Sequence, residues 1–261
     1  MTKPEKKDGT VGKALEILDL VAEVGRPVRF SELLVTSQHP KATLYRFLQT
    51  LTNQGMLSYD EEKQTYAMGL RLVRLAHSAW QNSSLAPVAA DILDQLEKEI
   101  GETIHLAQME NGQVLFVDKR RSSVLFETLA QTGRVAPAHC TGVGKVILAY
   151  MSAERLERAL RQQAFVPYTA TTHRDRESLI KEFEEIRSAG FAFDREEHEQ
   201  GIISIAAPIL LNNGRVVGSI SVATSTTRFT LKDLEAFKPA LLNATQKIGD
   251  AATTWQFPSP S

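Results

Sequence analysis

Between Pro40 and Leu51 the chain reads Pro-Lys-Ala-Thr-Leu-Tyr-Arg-Phe-Leu-Gln-Thr-Leu, and two faces are interleaved in it. Leu44, Phe47, Leu48 and Leu51 recur at i, i+3, i+4 and i+7, the spacing of one buried stripe on an α-helix. At about 100° per residue, Ala42, Tyr45, Arg46 and Gln49 then share the opposite face. No Asp or Glu occurs from Leu33 to Tyr59. A face of cations, a phenol, an amide and small residues suits a DNA groove: Lys and Arg meet phosphates, while Arg and Gln reach base edges. The candidate DNA contacts are Lys41, Ala42, Thr43, Tyr45, Arg46 and Gln49. An ordinary three-helix packing module would carry the same buried stripe; the acid-free outer face and the turn lengths around it favour DNA.

A second segment with chemical potential is His139-Cys140-Thr141-Gly142-Val143-Gly144-Lys145. It is not a Walker phosphate loop, because the position five residues before Gly144 is His139 rather than glycine. If a helix starts at Cys140 or Thr141, its unsatisfied N–H groups stabilise a carboxylate or phosphate, and the glycines allow close approach. Close helix-sheet packing would explain the same two glycines. Cys140 beside His139 is no strong nucleophile pair, since sequence neighbours rarely face each other and a lone cysteine is mostly a small buried hydrophobe. Ser204 and Ser221 lack the Gly-x-Ser-x-Gly setting of a nucleophile elbow. The run Asp194-Arg195-Glu196-Glu197-His198-Glu199 suits a solvated loop or a loop that hydrogen-bonds a sugar-like ligand. His105, His173 and His198 show no close metal-ligand spacing, so no metal and no cofactor is expected.

These residues need elements to position them. Val11 to Val24 has helical apolar spacing ending before Gly25 and Pro27. Ser31 is a candidate N-cap for a short helix through Val35, and Pro40 suits the first position of the next. Gly55 stops that helix, and Met56–Tyr59 and Gln64–Met68 then alternate around Asp60-Glu61-Glu62-Lys63 as a hairpin wing. Three helices and a wing describe a winged helix-turn-helix over residues 11–69. Residues 70–84 continue as a linker helix. Beyond them, Val88–Ile100 is amphipathic. Thr103–Met109 and Val114–Lys119 form a hairpin about Asn111-Gly112, and Leu125–Gln131 reads as a third strand. Helices are expected at Thr141–Met151, Glu154–Gln162 and Glu177–Ser188, a strand from Phe191, a second hairpin from Ile202–Leu210 and Arg215–Ala223, and one final helix over Leu231–Ala251. No βαβ repeat appears, so a mainly antiparallel sheet with flanking helices is predicted over residues 85–252, giving an α+β fold.

The 261 residues are 43% hydrophobic and 23% charged, enough for two domains with ordinary cores. No apolar run approaches the roughly 20 residues that span a bilayer. Residues 1–10 are charged, without a signal-peptide core, and read as a disordered arm; residues 253–261 read as a flexible tail. A single cysteine excludes an internal disulfide and points to a reducing cytoplasm. Residues 1–80 carry a net +2 and the remainder −3, which supports a basic patch on a small N-terminal domain.

Over about residues 11–252 the chain resembles the IclR family of transcriptional regulators. The resemblance is carried by Phe30-Ser31-Glu32-Leu33 through Leu51, by Gly101-Glu102-Thr103-Ile104-His105-Leu106, by Pro137–Lys145, and by Arg187–Gly190 through Asp194–Ile209. Tyr45–Thr50 and Thr226-Thr227-Arg228-Phe229 are most similar to the ketodeoxygluconate-regulator (KdgR-type) branch. The resemblance implies a GAF-like C-terminal effector domain, homodimers or dimers of dimers, double-stranded operator DNA near palindromes, and a small organic or sugar acid as effector. It places effector contacts at Leu125, Thr128, Ala136, Gly142, Val143, Ile202, Ser204 and Ser221. Three positions depart from the family pattern: His39 stands where an apolar residue is usual, Gln38 where glycine is usual, and Ser204 where cysteine is frequent. A glutamine forced to positive φ would cost about 1 kcal/mol, so a differently shaped turn is expected. The function expected is a DNA-binding regulator, a repressor of a catabolic operon, and not an enzyme. The competing expectation is a small-molecule enzyme whose N-terminal helical module is structural.

Overall fold

A computed structural model describes residues 9–121 and 128–254. The chain divides into two compact units, Met1–Gln81 and Asn82–Ser261. Among the described residues no helix is long and apolar enough to cross a membrane.

The N-terminal unit holds α1 (Thr10–Val24), β1 (Val28–Arg29), α2 (Phe30–Thr36), α3 (Lys41–Asn53), β2 (Leu57–Asp60) and β3 (Thr65–Met68). The strands pair antiparallel in the order β1-β3-β2. The apolar stripe of α3 buries Leu44, Phe47, Leu48 and Leu51 against Ile17, Leu18 and Val21 of α1 and against Val28, Leu33, Leu57 and Tyr66. Two capping expectations change. α2 starts one residue before Ser31, because the Glu32 carboxylate, not the serine hydroxyl, accepts the Arg29 N–H at 3.0 Å. Pro40 is the N-cap of α3 rather than its first residue; its carbonyl accepts the N–H of Thr43 and Leu44. The turn between them is indeed reshaped. Gln38 is not among the non-glycine residues at positive φ. Instead Ser37 Oγ accepts the His39 N–H at 3.1 Å, and His39 Nε2 lies 3.0 Å from Glu16 on α1. The wing turn is closed by Asp60 Oδ1, which accepts the N–H groups of Glu62 and Lys63. Helix α4 (Leu70–Ser83) follows and buries none of its residues.

The C-terminal unit continues with α5 (Ala86–Ile100), β4 (Thr103–Glu110), β5 (Gln113–Arg120), β6 (Val135–Pro137), α6 (Gly142–Ala149), α7 (Ala153–Arg161), α8 (Arg176–Ala189), β7 (Ala192–Arg195), β8 (Ile202–Leu210), β9 (Val216–Ser225), α9 (Leu231–Leu234) and α10 (Lys238–Thr254). The strands form one antiparallel sheet in the order β6-β5-β4-β9-β8-β7. Asn111 and Gly112, at φ 49° and 75°, make the tight turn between β4 and β5 that their types favour. Successive strand residues face opposite sides. Ile104, Leu106, Ile203, Ile205, Ile220 and Val222 therefore join one core with α5 and α10. The alternate residues face α6, α7 and α8, where a second core gathers Phe116, Val146, Leu148, Leu160 and Phe183.

Two elements differ from expectation. Among the described residues the strand that follows the first hairpin is Val135–Pro137, and the described part of the expected strand Leu125–Gln131 is not extended into the sheet. Thr128–Gln131 is irregular, and Leu125 lies outside the described residues. The final helix is broken: after α9 a 3-10 turn spans Glu235–Phe237 and α10 restarts at Lys238. Pro239 has no N–H to continue the ladder, so it falls in the first turn of a new helix.

Candidate functional site

On α3 the buried stripe dictates what is left outside. Lys41, Ala42, Tyr45, Arg46 and Gln49 are exposed and Thr43 is half-buried, so all six predicted contacts lie along the solvent side or its margin. Gln49 Nε2 donates to the Tyr45 hydroxyl at 3.0 Å, and the Phe30 ring meets Tyr45 edge-on at 6.0 Å. Arg46 stacks its guanidinium 5.4 Å from the Phe47 ring centre. The face thus holds fixed donors and a pre-positioned guanidinium.

In the C-terminal unit the start of α6 faces the sheet across a cavity of about 40 Å³, room for about three water molecules. Thr141 caps α6: its Oγ1 accepts the Gly144 N–H at 3.2 Å and donates to the Pro137 carbonyl at 3.0 Å. The N–H groups of Gly142 and Val143 are left without intrahelical acceptors. The two glycines separate in role. A Cβ on Gly144 would strike the Ala138 backbone, so that glycine serves packing. A Cβ on Gly142 would sit 3.0 Å from Ser204 Oγ and 3.4 Å from the Asp194 nitrogen, on the cavity wall.

Five predicted effector positions besides Gly142 also line this cavity: Thr128, Val143, Ile202, Ser204 and Ser221. Ala136 does not. On β6 it pairs with Val114 and is buried in the apolar core with Phe116, because its strand lies at the far edge of the sheet. The positions that the resemblance implies do not include two walls of this cavity, His105 and Asp194. The register places His105 opposite Ser221 and Asp194 opposite Ser204. His105 Nε2 lies 3.2 Å from Thr128 Oγ1, and Nδ1 lies 3.5 Å from Ser221 Oγ. Burial, reinforced by the Lys119 cation, pushes the His105 imidazole down to about 3, so it is a neutral donor-acceptor. Burial and the Glu197 carboxylate raise the Asp194 carboxyl to about 7. Its Oδ1 accepts the Glu197 N–H at 2.8 Å. Polar residues at alternate positions in otherwise apolar strands were the available signal for both.

The acidic run 194–199 is no simple solvated loop. Lys145, fully buried on α6, holds Glu182 at 2.9 Å and Glu197 at 2.6 Å. His173 and Arg195 also reach Glu182, each at 2.7 Å. Burial opposes ionisation of Glu182, but these partners outweigh it and bring its carboxyl down to about 2. Ligand atoms of His173, Glu182 and Glu197 come within 4.8 Å of one another, the spacing of a metal cluster. The Lys145 ammonium already bridges the two carboxylates of that trio. The network pins the segment from which His198 and Glu199 face the cavity, and Glu199 accepts the Leu129 N–H at 2.9 Å. Cys140 is fully buried, and burial pushes its thiol far up, so it holds no thiolate for nucleophilic chemistry.

Comparison with known proteins agrees along the chain. Residues 10–61 match the IclR helix-turn-helix domain, and residues 77–250 match the family described as bacterial transcriptional regulator IclR, C-terminal. The Escherichia coli K12 regulator XynR is 28% identical over 90% of this chain and 93% of its own. The E. coli K12 regulator KdgR is 28% identical over 94% of each. The crystal structure of the Thermotoga maritima IclR superposes with a TM-score of 0.73 at 26% identity, covering 92% of this chain and 97% of that one. These relatives and families are transcriptional regulators, not enzymes.

Proposed function

The chain belongs to the IclR family of bacterial DNA-binding transcriptional regulators, and from that premise we propose that it is a cytoplasmic repressor of a catabolic operon, relieved by a small carboxylate or sugar acid. The carrying observation is the cavity at the start of α6. Gly142 and Val143, whose N–H groups have no acceptor among the described residues, line it together with the hydroxyl residues Thr128, Ser204 and Ser221 and a neutral His105. Backbone N–H groups at a helix start hold a carboxylate, and hydroxyls and an imidazole suit the hydroxyl groups of a sugar acid. About 40 Å³ admits a carboxylate head but not a six-carbon chain, so binding must select a wider state of the cavity.

DNA contact is assigned to Lys41, Ala42, Thr43, Tyr45, Arg46 and Gln49, with no acid on that face to repel phosphate. The operator would be a palindrome read by a homodimer or a dimer of dimers, with half-sites about one helical turn, or a multiple, apart. Exposed Leu70, Val73 and Leu75 on α4 supply apolar surface for such pairing. The test is fluorescence anisotropy on the duplex upstream of the chain's own gene, with and without a panel of sugar acids and other carboxylates. Salt-sensitive, sequence-preferring binding that one acid changes several-fold is expected. Equal binding to random DNA would refute the operator reading.

A further inference from the structure

Beside α3, the N-terminal unit has a cleft of about 780 Å³ that the groove-facing residues of the helix do not account for. Arg29, Lys41, Tyr45, Tyr59, Gln64 and Tyr66 are among its lining residues, and no carboxylate is. The acids nearest in sequence are committed elsewhere. Glu32 takes the Arg26 guanidinium at 2.7 Å and the Arg29 N–H, and Asp60 closes the wing turn. The two cations therefore face the cleft without a carboxylate among its walls.

The phenols are the second observation. The Tyr59 and Tyr66 rings lie 4.8 Å apart, and Tyr45 closes the helix side. Tyr66 is only 6% exposed, but its hydroxyl, which has no hydrogen-bond partner among the described residues, is not one of the polar atoms closed off from solvent and opens into the cleft. Burial and the neighbouring phenols raise its pKa, so it stays a protonated donor. It is a donor already open to an anionic oxygen placed in the cleft, and a hydrogen bond to a charged acceptor is the stronger kind. A phosphodiester offers such oxygens to a phenol, an ammonium and a bidentate guanidinium together. Lys41 and Tyr45 belong both to the cleft and to the outer side of α3, so a strand whose groove receives α3 passes this opening.

We propose that the cleft seats one phosphodiester of the operator strand, with Arg29 and Lys41 as its cations and the Tyr66 hydroxyl as a donor from its wall. The assignment rests on the DNA-binding reading of α3 and extends it to residues outside the helix. It is tested with the full chain by anisotropy across a KCl series, on the upstream duplex and on a random duplex, using wild type, Arg29→Ala, Tyr66→Phe and, as a marker of α3, Arg46→Ala. Arg29→Ala should weaken both duplexes alike, about three- to tenfold, and lower the log–log salt slope by about 0.9. Tyr66→Phe keeps the ring in the core, so it should weaken both several-fold with the slope and thermal midpoint unchanged. Wild-type affinity and slope in both variants, with Arg46→Ala still losing sequence preference, would overturn the cleft alone. No wild-type binding to any duplex would overturn the α3 reading and the cleft with it. A thermal shift caused by sodium benzoate or inorganic phosphate in wild type but not in Arg29→Ala would make this a small-anion site and overturn the assignment.

Discussion

Asp194→Asn should change how stability depends on pH, and the amount follows from the two buried groups that share the cavity. The Asp194 carboxyl is held at about 7 against an ordinary 3.8. The folded chain therefore keeps a proton that the unfolded chain releases. The stabilisation is complete below about pH 3.8 and is lost as pH rises to 7. A shift of about 3 units, at about 1.4 kcal/mol each, is about 4 kcal/mol. His105 runs the other way: held at about 3 against 6.5, its contribution is whole above pH 6.5 and is lost as pH falls toward 3. From about pH 4 to 6.5 the two slopes cancel, each about 1.4 kcal/mol per pH unit. Asparagine keeps an oxygen for the Glu197 N–H but cannot ionise. The variant should thus gain on wild type by about 3–4 kcal/mol between pH 4 and 8. Its own stability should climb through pH 4–6.5 and then level. Urea unfolding followed by far-UV circular dichroism at half-unit pH steps measures this. Parallel curves for the two proteins would refute the assignment of the buried proton to Asp194.

Arg46→Ala should cost about 1–3 kcal/mol of specific binding while leaving random-duplex binding less affected, read by competition anisotropy. Gly142→Ala places a methyl 3.0 Å from Ser204 Oγ. It should abolish the response to the effector while DNA affinity without effector stays within twofold. Lys145→Met strands Glu182 and Glu197 without their buried cation and should destabilise the C-terminal unit by about 3–5 kcal/mol in urea unfolding.

The N-terminal unit was legible because its signals are local. The stripe of α3, the stop at Gly55 and the alternation of the wing each occupy a few consecutive residues. The exceptions were caps, where Glu32 outcompeted Ser31 for the start of α2. The cavity was half legible. Gly142 and Val143 announced themselves as a helix start, but His105 and Asp194 enter only through strand register, which pairs residues more than a hundred positions apart in one case. Ala136 lies away from this cavity for the same reason: its position on an edge strand is decided by pairing with β5, not by its own sequence. The break before α10 was written in Pro239, which a purely apolar periodicity passes over.

The central pairing of β4 with β9 also sets an order of events during synthesis. His105 and Ser221 meet only after the chain has been made through Ser225. The first 81 residues, by contrast, form their own compact unit. At about 5–20 residues per second, translating the remaining 180 takes roughly ten to forty seconds. Every newly made molecule therefore passes through an interval in which its DNA-reading half is complete and its sensory half does not yet exist. Nonsense or frameshift lesions downstream of the first unit would freeze that interval, leaving fragments that carry the helix-turn-helix unit without the C-terminal domain.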